Sequence, residues 1–155
     1  MHSLYCDWAA IGIPAWRRLP RLKDRTYSAD RLGNADLAAF IPTTDAHRAL
    51  HFYRDTLGLE LVDEDGFGLV FKAREATLRV VKVERLAPAS YTVVGWRVPD
   101  LESTQLQLAA KGIAFERYPG MEQDALGAWS APGGARIAWF KDPDGNTLSL
   151  AQLPA

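Results

Sequence analysis

One cysteine, Cys6, stands in a chain of 155 residues. A single thiol excludes an internal disulfide and a thiolate metal cluster. It also fits a reducing compartment, so a cytoplasmic protein is the expectation. Charge of one sign is lacking too, since 18 Lys and Arg against 19 Asp and Glu leave a net charge of −1. That balance implies neither a nucleic-acid surface nor an acidic tail. The apolar stretch at residues 8–16 (WAAIGIPAW) is far too short to span a bilayer. Its basic neighbours Arg17, Arg18, Arg21, Lys23 and Arg25 follow it instead of preceding it, so no secretory signal and no membrane partner are expected.

With 48 % hydrophobic residues the chain has the apolar share of a globular protein, and its length suits one domain or two small halves sharing a core. Residues 1–35 are expected to form an extension, loosely held as termini usually are. The alternative is an arm whose Trp8 and Trp16 dock on a partner, which would make the chain an interaction module.

The rest of the chain repeats itself. Asp45 opens a helical pattern, DAHRALHFYRDTLG, in which Ala49, Phe52, Tyr53 and Leu57 share one face. Asp100 opens a second, DLESTQLQLAAKG, with Leu101, Gln105 and Leu108 in register. Each begins with an aspartate suited to capping free helix N–H groups and ends at a glycine, Gly58 or Gly112, suited to a left-handed stop. Strand-like runs flank both: LAAFIPT and LELVD around the first, YTVVGWRV and IAFERY around the second. FGLVFKA and TLRVVKVERL then complete the first half, and GAWSAP, ARIAWF and NTLSLAQL the second, with Pro88 at the joint. Asp142-Pro143-Asp144-Gly145 is expected to be the tight turn between the last two strands.

The fold class is therefore α+β. Two βαβββ modules, about 36–87 and about 90–153, form a single domain over 36–155. They build a curved mixed sheet around a concave pocket, with the helices outside. A trough between two such modules is a natural seat for a small ligand.

Phe52-Tyr53-x-x-x-Leu57-Gly58-Leu59 and Asp142-Pro143-Asp144-Gly145-Asn146, set on this paired pattern, resemble the vicinal oxygen chelate superfamily over about residues 36–153. That superfamily includes glyoxalase I, extradiol dioxygenases, fosfomycin-modifying enzymes and bleomycin-binding resistance proteins. The resemblance implies a homodimer. It also implies up to four metal-ligand positions, which fall here on Ala38, Arg79, Val93 and Ser149. Alanine and valine offer no donor, serine is a poor neutral one, and a guanidinium repels a cation. The expectation is a metal-free member without a cofactor that binds a small organic molecule, in sequestration or resistance. The alternative is a metal-dependent glyoxalase-type lyase or dioxygenase holding a divalent metal through other residues. His47 and His51, four apart on the first helix, could share a zinc ion but have no evident third ligand.

Strand alternation sends Arg79, Arg97 and Ser149 to the same side. Two guanidiniums in a partly dry groove call for an anionic ligand or for carboxylates, with Glu116, Glu122 and Asp124 as candidates. Trp129, Tyr91 and Met121 complete the candidate ligand-binding set, Met121 lying in a loop (RYPGMEQDALG) long enough to fold over the trough. Catalytic residues remain unassigned, because Ser149 has no histidine mapped beside it. Glu116, Asp124 and Tyr91 are the available acid–base groups.

Overall fold

The fold grows from two matched strand–helix junctions. In the computed structural model, which describes residues 32–154, Asp45 accepts the Arg48 N–H and Asp100 the Ser103 N–H, both at 3.0 Å. Each side chain thus caps its helix as the sequence predicts. Gly58 and Gly112 close the helices at φ of 76° and 90°.

Module one runs β1 (Ala38–Thr43), α1 (Ala46–Leu50), β2 (Glu60–Asp65), β3 (Gly68–Ala73) and β4 (Ala76–Lys82). Past Leu50, α1 widens into π-helical turns over His51–Thr56 that set Phe52 and Tyr53 inside while His51 stays exposed. Module two runs β5 (Thr92–Arg97), α2 (Leu101–Ala110), β6 (Trp129–Ser130), β7 (Arg136–Lys141) and β8 (Thr147–Gln152). The two sheets have orders β1-β4-β3-β2 and β5-β8-β7-β6. In each, the first strand pairs in parallel with the last, and the remaining pairs are antiparallel. Strands β1 and β5 are the edges at which the two sheets meet.

Both helices pack on their own sheets, α1 on β3 and β4 and α2 on β7 and β8. One apolar cluster runs beneath them through both modules and includes Ile41, Tyr53, Phe71, Val80, Leu101, Phe140 and Leu148. Neither module buries its sheet alone. The expected turn forms as well: Gly145 N–H reaches Asp142 O at 3.0 Å, with Gly145 at φ 85°.

The run IAFERY is not the strand its alternation predicts. Only Phe115 bridges to Phe140, and Glu116 N–H reaches Trp139 O at 2.7 Å. The outer edge of β7 is divided, with Phe115 at one end and the two-residue β6 at the other. Pro119 cannot donate to a ladder and Gly120 turns the chain at φ 82°, so the pairing stops there. Residues 1–31, which carry Cys6, Trp8 and Trp16 and most of the expected extension, lie outside the described residues. Among the described residues, no helix is long and apolar enough to cross a membrane.

Candidate functional site

Register decides which side chains share the sheet face turned away from the helices. Across module one, Phe40 pairs with Arg79 and Arg79 with Val70. Leu78 and Val80, one step away on either side, are buried in the core. Across module two, Gly95, Ser149 and Trp139 form one row, and Arg97, Ala151, Ile137 and Trp129 the next. Their neighbours Leu148 and Leu150 point the other way and are 0 % and 4 % exposed. Ala38, Arg79, Arg97, Trp129 and Ser149 therefore stand on faces that carry no helix among the described residues, as strand parity predicts for Arg79, Arg97 and Ser149.

The four positions onto which the resemblance maps metal ligands carry no donor set for a divalent cation. Ala38 has no heteroatom. Val93 lies at a register slip between Thr92 and Val94 and packs against the core. Arg79 is held by Asp65, Nη2 to Oδ2 at 2.6 Å. Its partner is thus a residue of its own sheet and not Glu116, Glu122 or Asp124. Burial pushes the Asp65 carboxyl up, but the Arg79 bond and the Phe67 and Gly68 amides outweigh it and hold the group below its ordinary range.

Ser149 is covered. Trp139 donates Nε1–H to Thr92 Oγ1 at 3.1 Å, and Thr92 lies on β5, beyond β8. The indole must cross β8 to get there, over Thr147 and Ser149, which are only 7 % and 8 % exposed. Ser149 Oγ in turn leans over Gly95, where an added Cβ would meet it at 2.5 Å. A metal ligand at this position would have to displace the indole. Trp139 also meets Tyr118 edge-on at 5.6 Å and Trp129 at 6.3 Å between ring centroids, so three rings form one wall.

The remaining candidates separate. Arg97 is exposed and, among the described residues, forms no salt bridge. Tyr91 immediately precedes β5 and is 70 % exposed. Met121 lies half-buried in the loop after Phe115. That loop is tied to itself: Gln123 bonds Tyr118 N, Glu116 O and Gly127 O, and Arg117 bonds Asp124 O and Ala125 O. Asp124 is engaged by the Leu126 and Ala128 amides and by Arg136. Burial raises its pKa, but the Ala128, Arg136 and Leu126 bonds outweigh it and hold it below its ordinary range, and the same contacts tie the loop to β7. Burial first and Glu116 second push the Tyr118 phenol up, which unsuits it as a base near neutrality.

His47 and His51 stack edge-on at 4.6 Å, with His51 Nδ1 2.7 Å from Asp55 Oδ2. No group of three metal-ligating side chains occurs among the described residues. A cleft of about 390 Å³ lies elsewhere, between Phe52 and Thr56 of the first helix, the segment 111–114 after α2, and Lys141 to Pro143. Lys111 there bonds Thr56 O at 2.9 Å, and Lys141 stands 3.9 Å from Glu116.

Sequence reasoning missed Asp65 and the reach of Trp139. The signal for Trp139 was available, because pairing outward from the Asp142-Pro143-Asp144-Gly145 turn sets Trp139 opposite Ser149.

Paired βαβββ modules, with α1 and α2 on one side of the sheets and no helix among the described residues on the other, define a class that comparison with known proteins makes specific. The profile of the Glyoxalase/Bleomycin resistance protein/Dioxygenase superfamily matches residues 35–150, and the chain belongs to that superfamily. Bacillus subtilis (strain 168) YraH is 26 % identical over 124 residues, covering 70 % of this chain and 91 % of its own. The crystal structure of lactoylglutathione lyase from Agrobacterium tumefaciens superposes with a TM-score of 0.60 at 20 % identity, over 75 % of this chain and 91 % of that one. A superfamily member from Sphaerobacter thermophilus DSM 20745 gives 0.57 at 25 % identity, over 75 % and 94 %. The lyase likeness establishes shared fold alone.

Proposed function

We propose that this chain binds a small organic molecule in the trough between its modules without a metal ion, and holds it instead of converting it. The observation that carries this reading is the Trp139 indole, which stands opposite Ser149 in register and donates across β8 to Thr92, with Ser149 only 8 % exposed. An aromatic surface stands where a metal-dependent relative would offer a carboxylate. Arg79, already paired with Asp65, supports the same reading from module one. Large flat side chains of this kind bind ligands by area and shape. The reading also expects a homodimer, for which the exposed Leu37, Phe40 and Tyr91 supply apolar surface.

Protein purified without chelator should carry no stoichiometric Zn, Ni, Mn or Fe, and EDTA should leave its melting temperature unchanged. A screen of small organic molecules followed by tryptophan fluorescence should yield saturable changes. A full complement of metal whose removal lowers the melting temperature would overturn the proposal in favour of the lyase or dioxygenase alternative.

A further inference from the structure

The two halves of the helix-free face differ in charge. On module one, Arg79 is matched by Asp65, and Asp63 stands two residues away on the same strand with Oδ2 buried and, among the described residues, without a hydrogen-bond partner. An anion entering that half meets carboxylates. The strands of module two are the reverse, since β5, β6, β7 and β8 contain no Asp or Glu, and the loop carboxylates Glu116 and Asp124 face Lys141 and Arg136. On that face Arg97 is exposed and free of ion pairs among the described residues, while Lys141, which lines the cleft beside the first helix, has Glu116 at 3.9 Å.

Arg97 also stands in a particular row. The order Arg97, Ala151, Ile137, Trp129 crosses the sheet on one face. Adjacent strands lie about 4.8 Å apart, which sets the Arg97 and Trp129 backbones roughly 14 Å from each other. Ala151 and Ile137 lie between them, and in the next row Gly95 has no side chain. The row thus runs from a guanidinium, across an apolar floor, to an aromatic wall. The indole N–H of Trp139 is already used by Thr92, so that ring offers a face and not a donor.

Resting on the trough-binding reading above, we infer that the ligand is a planar aromatic anion: its ring lies over Ala151 and Ile137 against Trp129 and Trp139, and its anionic group meets Arg97. A guanidinium suits this task because its fork matches a carboxylate in two parallel hydrogen bonds. Binding through module two alone would leave the Arg79–Asp65 pair intact.

The test compares three probes of one shape on the full chain, 2-naphthoate, 2-naphthamide and 2-naphthylmethylammonium, by calorimetry and by the indole N–H signals of 15N-labelled protein. The naphthoate should bind tightest and shift the Trp129 and Trp139 signals. Arg97→Gln, at an exposed position, should weaken naphthoate binding by roughly tenfold to a hundredfold, the size of a charge-assisted hydrogen bond, and leave naphthamide binding unchanged. Trp129→Leu should weaken both. If all three probes bind with equal strength and Arg97→Gln alters none, the anionic class falls while binding in the trough stands. If naphthoate leaves both indole signals unmoved, the inference falls, and the fluorescence screen decides the trough reading separately.

Discussion

At the scale of single residues, the two arginines that strand parity brings to one face have different work. Arg79 and Asp65 are 15 % and 23 % exposed, and the pair lies over the module-one sheet. Arg79→Met should lower stability at neutral pH by about 1–2 kcal/mol. That is less than a fully buried broken pair costs, because Asp65 keeps the Phe67 and Gly68 amides at 2.8 and 2.9 Å. Asp65 has a depressed pKa in the fold, so its contribution is present above the ordinary carboxylate range and is lost as pH falls through the lowered value. The gap between Arg79→Met and the parent in urea melts should therefore shrink on acidification below about pH 4. Equal stability at pH 7 would refute the strut. Naphthoate affinity should not change in this variant. Parity made the faces of both arginines legible in the sequence, but pairing was not, because Asp65 and Arg79 lie on strands separated by a third. Val93 was illegible for a related reason: a register slip between Thr92 and Val94 breaks the alternation, Val93 packs partly buried against the core, and no sequence pattern marks that slip.

At the scale of elements, the turns with glycine at positive φ are the most exacting sites. Gly145 lies at φ 85°, and a Cβ there would also come within 3.2 Å of Pro88 Cγ. Gly133, in the β6–β7 connection, has open space and no such φ. Gly145→Ala should cost about 1–2 kcal/mol, the usual penalty for an L-residue in the left-handed region, while Gly133→Ala should be close to neutral. Thermal melts of the two variants side by side check this, and equal melting temperatures would refute the turn's role. Elements defined by local chemistry were legible: capping aspartates, stopping glycines and the Asp-Pro-Asp-Gly turn all rest on residues near each other in sequence. IAFERY was not, because its alternation is that of a strand while its partner, the edge of β7, is shared with β6. Competition for a ladder is a tertiary fact.

At the scale of the whole domain, the question is what joins two modules that each leave a sheet half-covered. The last turn of module two grips the β1–α1 junction of module one. Tyr53 OH donates to Asp142 Oδ2 at 2.8 Å, and Asn146 Nδ2 bridges Asp142 Oδ2 and Pro42 O. Asp144 goes further into module one. Its Oδ2 accepts Thr43 Oγ1–H at 2.6 Å, and its Oδ1 accepts the Thr44 N–H at 3.0 Å, the Thr44 hydroxyl at 2.5 Å and Arg48 Nη2–H at 3.2 Å. The carboxylate side chain is only 2 % exposed, so nothing but these donors replaces its water. Burial pushes Asp144 up, yet the Thr43 and Thr44 bonds and the Arg48 charge outweigh it and hold it low. Asp144→Asn turns one acceptor oxygen into an NH₂ that faces donors. The variant should lose about 1–3 kcal/mol at pH 7. A depressed carboxyl stabilises the fold above the ordinary carboxylate range and ceases to do so as pH falls through its folded value. The parent should therefore weaken on acidification more steeply than the variant, and their denaturation midpoints should converge at low pH. Midpoints that stay equally far apart from pH 7 to pH 3 would show that the amide disturbs packing alone and that the charge of Asp144 does not hold the modules together.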